Sequence, residues 1–438
     1  MSATLTITGG APLVGRLRVP GCKGVSHRAL VAAALAEGSS RISALGTGRD
    51  VASTRAALGA LGVAITDDPD GATRVDGAGF AGLTEPSGVL DCGNSGTTLR
   101  FLTGLAAGRP FLTVLTGDAS LSTRPMGRVV EPLRAMGAQV DGRSDGRLAP
   151  LVVRGGDLHG VRHDLAVASG QVKTALILAG LQADGVTEIV EPAPSRDHTE
   201  RMLAALGAPV EVVDARTTRV RRGAIAPLDL DVPADPSSVA FFVVAATIVP
   251  GSHVVLTDVL INPNRIAYVD TLRAMGADVV VTPTGERAGE RVGDVEVRSA
   301  SLTGTVITSS EGIVDELPVL AVAAAFADGP SEIRDAAELR VKESDRIATL
   351  ETELRRLGVD VEARPDGLTI GGRSGGALPD GVAFTGHDDH RIAMAGAVAA
   401  LALPGTSTVA GADAVAISYP EFAEHLAALG GQVAGSDR

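Results

Sequence analysis

The 438-residue sequence contains no tryptophan, and aromatic residues make up only 2% of it. A chain so poor in aromatic faces lacks the stacking platforms that grip single-stranded nucleic acid. A formal net charge of −13 argues the same way, because it repels phosphate backbones and anionic membranes. Any phosphate bound here must meet a local concentration of cations. Cysteine is equally scarce. Cys22 and Cys92 show neither CxxC nor metal-ligand spacing and are expected to be plain thiols of a reducing compartment. The longest apolar runs, Val239–Pro250, Leu317–Ala327 and Ile392–Pro404, fall short of the roughly 20 residues that span a bilayer. The first twenty residues hold no lysine and no apolar core behind a basic start, so a cytoplasmic location is expected.

What the chain has in abundance is glycine, 54 residues of it. Six of these close the same phrase, Leu-x-x-[Leu/Met]-Gly, which runs after two more residues into a β-branched position, at Gly62, Gly137, Gly207, Gly276, Gly358 and Gly430. A left-handed residue just past a helix is where glycine costs least, so each copy reads as helix, tight stop, strand. The spacing of 69 to 82 residues is too long for helical solenoids and suits a small α/β unit of several elements. Six units divide most simply as three plus three.

Proline and glycine punctuate the pattern at Val19-Pro20-Gly21 and Val232-Pro233-Ala234-Asp235-Pro236 without a long linker. If the chain crosses between domains at both places, residues 21–233 form one domain with repeats one to three. Residues 1–20 and 234–438 form a second, discontinuous domain with repeats four to six. Two such crossings make a hinge, and the active site is expected in the cleft between the domains.

Polar clusters open several apolar helices. Lys23 and Arg28 stand five apart in Pro20-Gly21-Cys22-Lys23-Gly24-Val25-Ser26-His27-Arg28, where both can face an anion that a helix N-terminus already favours. Asp91-Cys92-Gly93-Asn94-Ser95-Gly96-Thr97-Thr98-Leu99-Arg100 offers free amides and a glycine for close approach. Arg124 lies in Ser-Thr-Arg-Pro-Met, Ser169-Gly170-Gln171 precedes another apolar helix, and Arg196 sits in Pro-Ser-Arg-Asp-His-Thr. Each cluster alone reads equally well as ordinary helix capping. In the second half, Asp315-Glu316-Leu317-Pro318, Val341-Lys342-Glu343-Ser344-Asp345-Arg346 and Asp388-Asp389-His390-Arg391 add carboxylates and further cations. The near-contiguous His387, Asp388, Asp389 and His390 would point in different directions, so no metal is expected.

Taken in order along nearly the whole chain, these motifs resemble the 3-phosphoshikimate 1-carboxyvinyltransferases, or EPSP synthases. The resemblance implies an α/β, two-domain enolpyruvyltransferase-type fold, each domain built of three βαβαββ repeats about a pseudo-threefold axis. It implies transfer of the enolpyruvyl group of phosphoenolpyruvate to the 5-hydroxyl of shikimate 3-phosphate, with release of phosphate and without a cofactor or metal. By the same resemblance Lys23, Arg124, Gln171, Arg346 and Arg391 hold phosphoenolpyruvate, with Asn94 and Gly96 as its backbone cradle. Arg28, Ser169, Gln171, Arg196, Asp315 and Lys342 fall to shikimate 3-phosphate, with Gly24 and Gly170 beside them. Asp315 is implied as acceptor of the 5-hydroxyl proton and Glu343 as the group that shuttles the C3 proton, a role that needs a raised pKa. Lys23 is implied to touch both ligands.

Gly24 departs from the family pattern, which often has serine after the lysine, and so loses a hydroxyl expected on the acceptor. Ile417 stands ahead of Ser418-Tyr419-Pro420, where one subgroup has a lysine nearby. A paralogue that acts on another cyclic polyol, or one that has lost catalysis, is the alternative that Gly24 leaves open. The UDP-N-acetylglucosamine enolpyruvyltransferases carry a cysteine a few residues before the Arg-Pro pair, and residues 116–123 contain none. A monomer is expected, and Gly96 leaves room for glyphosate beside the phosphoenolpyruvate site.

Overall fold

The six expected stops are present. Gly62, Gly137, Gly207, Gly276, Gly358 and Gly430 all have left-handed φ, between +74° and +105°. They end the helices Arg49–Ala60, Gly127–Ala135, His198–Ala205, Pro263–Ala274, Arg346–Arg355 and Phe422–Ala428, and each is followed directly by a strand. The computed structural model describes residues 3–309, 312–373 and 376–435.

Each of these six helices belongs to a repeat with a four-stranded sheet, and the strand order recurs in all six sheets. In one, Leu90–Asp91 runs parallel to Leu112–Thr116, which pairs antiparallel with Leu148–Arg154, itself antiparallel to Gln139–Gly142. A first helix, here Gly96–Ala106, connects the parallel pair, and the Gly-capped helix leads to the third strand in sequence. This is βαβαββ. The mixed α/β architecture of repeated units agrees with the fold that the sequence motifs imply.

The described chain divides into two compact units. One is Gly21–Pro233 together with Glu286–Glu290, and the other is the rest of the chain. In the first, the late strand Asp229–Asp231 returns to lie parallel to Glu37–Ser43 and completes the sheet of the first repeat. In the second, Thr4–Thr8 fills the place between Thr406–Ala410 and Gln432–Gly435, and Val14–Leu17 lies parallel to His253–Leu260. The opening residues are thus structural strands of the later half of the chain. Glu286–Glu290, the turn between Asp278–Arg287 and Glu290–Arg298, belongs by its contacts to the first unit, where Glu290 Oε1 lies 2.6 Å from His198 Nδ1.

The first helices of the repeats form the cores. In the first unit these are Lys23–Leu35, Gly96–Ala106 and Gly170–Gly180, and nearly every residue in them is buried. A helix apolar on all sides must lie inside. Their contact is close enough to require glycine at Gly104, where a Cβ would stand 2.2 Å from the Ala175 carbonyl oxygen. The second unit repeats the plan with Pro236–Ile248, Leu317–Ala325 and His390–Leu401. Buried on every side, these helices carry their charged residues only in their first two turns.

Candidate active site

In the first unit the starts of the three core helices are joined by side chains. Ser95 caps its helix by accepting from Thr98 N at 3.1 Å, and Thr98 Oγ1 lies 2.6 Å from Thr54 Oγ1, which lies 2.7 Å from His27 Nδ1. Burial, with Lys23 and Arg28 nearby, drives the His27 imidazole well below its ordinary pKa, so the ring is a neutral strut. Lys23, in the first turn of its helix, donates to Asp50 Oδ2 at 2.9 Å.

A second cluster surrounds Gly96. Arg124 Nη2 donates to Asn94 Oδ1 at 2.6 Å and to Ser120 Oγ at 3.3 Å, while Asn94 Nδ2 donates to Asp118 at 2.8 Å. A Cβ at Gly96 would lie 2.9 Å from Arg100 Nη1 and 3.6 Å from Arg124 Nη1. Arg100 Nη1 donates to Gln171 Oε1, and Gln171 Nε2 donates to Thr97 Oγ1 at 2.9 Å. Asn94, Gly96, Arg124 and Gln171 are thereby brought together by two helix starts and one loop. Arg100 joins them, although the sequence reading quoted it without assigning it a role. Its position four residues after Gly96 puts it on the same helix face, and that periodicity was the available signal.

The third cluster is built on Arg28, which is buried. Its Nε donates to Thr199 Oγ1 at 2.6 Å, Nη1 to the Gly24 carbonyl at 2.8 Å, and Nη2 to Thr174 Oγ1 at 3.1 Å and the Gly170 carbonyl at 3.5 Å. Its guanidinium lies 5.0 Å from the centre of the Phe101 ring. Burial lowers its pKa to about 10, partly offset by Glu200, so it remains a cation at neutral pH. Arg196 packs on Gly170, where a Cβ would stand 3.1 Å from the Arg196 Cβ. Gly24, Arg28, Ser169, Gly170 and Arg196 form one neighbourhood rich in positive charge.

The second unit centres on Arg346, whose side chain is 1% exposed. Its Nε donates to Asp389 Oδ2 at 2.8 Å and Nη2 to Asp389 Oδ1 at 3.2 Å and Glu343 Oε2 at 2.6 Å. Asp315 Oδ1 lies 3.9 Å from Arg346 Nη1, and Arg391 Nη2 lies 3.7 Å from Asp315 Oδ2. Burial opposes the Arg346 charge, but the Asp389 and Glu343 carboxylates outweigh it and raise the pKa. Asp315, Glu343, Arg346 and Arg391 are therefore one cluster, tied by Asp389, which also caps the His390–Leu401 helix by accepting from Arg391 N at 2.9 Å. Asp389 had no assigned role in the sequence reading. Lys342 turns to Glu338, 3.6 Å away.

The residues around Asp389 diverge as their spacing suggested. His387 Nε2 lies 2.8 Å from Glu353 Oε1, while Asp389 faces Arg346. Elsewhere Asp197, His198 and Glu290 bring donor atoms within 4.8 Å of one another. Asp197 already accepts from Arg201 at 2.8 Å, and Glu290 meets His198. Cys22 and Cys92 are both buried and are not joined in a disulfide.

A family model described as EPSP synthase (3-phosphoshikimate 1-carboxyvinyltransferase) matches residues 7–426. The chain is 51% identical over 431 residues to the 3-phosphoshikimate 1-carboxyvinyltransferase of Synechococcus sp. (strain JA-3-3Ab), covering 97% of this chain and 96% of that protein. It is also 51% identical to the protein of the same name from Gloeobacter violaceus, covering 98% and 99%. Among solved structures, the EPSP synthase of Acinetobacter baumannii superposes over 100% of both chains with TM-score 0.88 at 39% identity. The enolpyruvyl transferase NikO of Streptomyces tendae shares the fold, with TM-score 0.78 at 21% identity and 99% coverage of each chain. The chain belongs to the EPSP synthase (3-phosphoshikimate 1-carboxyvinyltransferase) family.

Proposed function

We propose that this chain transfers the enolpyruvyl group of phosphoenolpyruvate to the 5-hydroxyl of shikimate 3-phosphate and releases phosphate. Family membership supports the reaction, and one observation supports the site: a buried guanidinium, Arg28, whose hydrogen bonds go to neutral acceptors. A buried cation held in this way keeps its charge for an incoming anion. Arg28, Arg196 and Ser169 bind the acceptor phosphate and its neighbours. Lys23, Arg124 and Gln171, on the Asn94–Gly96 cradle, bind phosphoenolpyruvate with Arg346 and Arg391. Lys342 and Asp315 serve the acceptor ring.

In the reaction the acceptor O5 bonds to C2 of phosphoenolpyruvate, its proton passes to Asp315, and C3 takes a proton from Glu343. Glu343 then removes a proton from C3 as the C2–O bond to phosphate breaks, so the vinyl group is restored and phosphate leaves. Glu343 Oε2 accepts from Arg346 Nη2, so before the addition this contact must loosen and the carboxylate take up a proton from solvent, which it then gives to C3. Arg346 and Arg391 compensate the charge that develops, and a donor of this kind is worth about 10²–10³ in rate.

Phosphate release from phosphoenolpyruvate, measured against a panel of acceptors, tests the assignment. Release that depends on shikimate 3-phosphate is expected. Release with a different cyclic polyol alone would transfer the chain to a paralogous activity, as the missing hydroxyl at Gly24 allows.

A further inference from the structure

Behind the acceptor neighbourhood lies a buried ionic triad that no step of the proposed reaction uses. Lys173 Nζ stands 2.7 Å from Glu191 Oε2 and 2.7 Å from Glu200 Oε1, and all three side chains are at most 4% exposed. Burial opposes the Lys173 charge, but the two carboxylates outweigh it and hold the ammonium protonated. Burial likewise pushes the Glu200 carboxyl up from its ordinary pKa, against the pull of Lys173, so the ammonium is what offsets the cost of burying these carboxylates.

Both carboxylates lead to groups proposed for the acceptor. Glu191 Oε1 accepts from the Ser169 N–H at 3.3 Å, and Ser169 caps the Gly170–Gly180 helix through Val172 N. Glu200 follows Thr199, whose hydroxyl takes the Arg28 Nε–H and lies within hydrogen-bond distance of Thr174 Oγ1. Lys173 and Thr174 occupy the same helix as Ser169's cap, so one ammonium ties that helix, the end of the Val186–Val190 strand and the His198–Ala205 helix around Arg28. Glu200 is also the largest carboxylate influence on Arg28, yet it is held one residue away from a direct ion pair. The arrangement supplies counter-charge while leaving the guanidinium's own donors on neutral groups.

We propose that Lys173, acting through Glu191 and Glu200, is a positioning residue that sets Ser169 and Arg28 for the acceptor phosphate. The inference rests on the reading of Ser169 and Arg28 as acceptor-binding. Without the ammonium, the two carboxyl groups lose their common tie, Glu191 is no longer fixed beneath the Ser169 amide, and the first turn that carries Thr199 and Glu200 is no longer anchored to the Lys173 helix. The Gln171 and Gly96 neighbourhood is held separately, by Arg100 and Thr97.

The test is steady-state kinetics of Lys173→Met and Lys173→Arg in both substrates, with Arg28→Lys measured in parallel. Lys173→Met is expected to raise the KM for shikimate 3-phosphate about tenfold, as a displacement of contact groups by a fraction of an ångström would. The KM for phosphoenolpyruvate and kcat should stay within about threefold, and Lys173→Arg, which can still bridge two carboxylates, should recover most of the loss. Unchanged KM values in a destabilised Lys173→Met protein, or equal rises for both substrates, would overturn the proposal. If Lys173→Met does not fold, Glu191→Gln decides: it keeps the Lys173–Glu200 pair and should raise the acceptor KM alone, and no rise refutes the proposal. If Arg28→Lys leaves the acceptor KM unchanged, it is the acceptor-site reading that fails.

Discussion

Replacing Asp389 by asparagine removes one charge from the most deeply buried ion pair at the Arg346 cluster. Asparagine keeps one acceptor oxygen, which can hold the cap on Arg391 N and the bond from Arg346 Nη2, so the helix start survives, while its NH2 takes the place of the oxygen that accepts from Arg346 Nε and Ser344 Oγ. What is lost is the carboxylate that meets Arg346 through both oxygens, at 2.8 and 3.2 Å. Breaking a buried pair by removing one partner costs about 3–5 kcal/mol. Glu343, 2.6 Å from Arg346, remains, which places the expected loss near the lower limit, about 3 kcal/mol. For a unit of this size that is a fall of roughly 6–12 °C in Tm, read by calorimetry. The pH dependence adds a second reading. Burial opposes the Asp389 charge, but Arg346 and His390 outweigh it and hold its pKa below the ordinary 3.8. A carboxylate with a depressed folded pKa stabilises fully above its unfolded pKa and loses that contribution as the pH falls through the folded one. The gap between wild type and Asp389→Asn should therefore be constant from pH 8 to about pH 5 and close only in stronger acid. A Tm change below about 1 °C, or a gap that closes by pH 6, would refute the reasoning.

Other predictions use different parts of the structure. Gly96→Ala places a methyl 2.9 Å from the end of the Arg100 side chain, which can move, so the fold should hold. Displacing the end of Arg100 should raise the KM for phosphoenolpyruvate about tenfold, read in the phosphate-release assay. Gly207→Ala meets nothing within 4 Å but must adopt φ +74°, so denaturant unfolding should show a loss of about 1–2 kcal/mol with unchanged kinetics. Burial, aided by Asp91, pushes the Cys92 thiol up to about 12. Neither Cys92 nor the buried Cys22 should react with a disulfide reagent in the native protein, and both should react once it is unfolded.

Much of the scaffold was legible because its signals are local. A glycine after Leu-x-x-[Leu/Met] marks a helix stop whatever lies elsewhere, and six copies counted the repeats. Ser95, Ser169 and Asp389 are caps for the same reason: the group they satisfy lies two or three residues away. Partners far along the chain left no such mark. Asp50 meets Lys23 from 27 residues away, Thr199 meets Arg28 from 171, and Glu290 reaches His198 from a hairpin turn assigned by the sequence reading to the other domain. Lys173, two residues beyond Gln171 in the polar stretch that precedes an apolar helix, drew no role from the sequence. Only the fold shows that Glu191 and Glu200 accompany it.

The most direct test of the central claim is the reaction run in D₂O, with the product analysed by mass spectrometry and proton NMR. Addition with protonation at C3 followed by elimination must exchange hydrogen at that carbon. The account predicts deuterium in the vinyl group of the product, formed only when shikimate 3-phosphate and phosphoenolpyruvate are both present and strongly reduced in Glu343→Gln. Product that forms with no deuterium at C3, or wild-type exchange undiminished in Glu343→Gln, would contradict it.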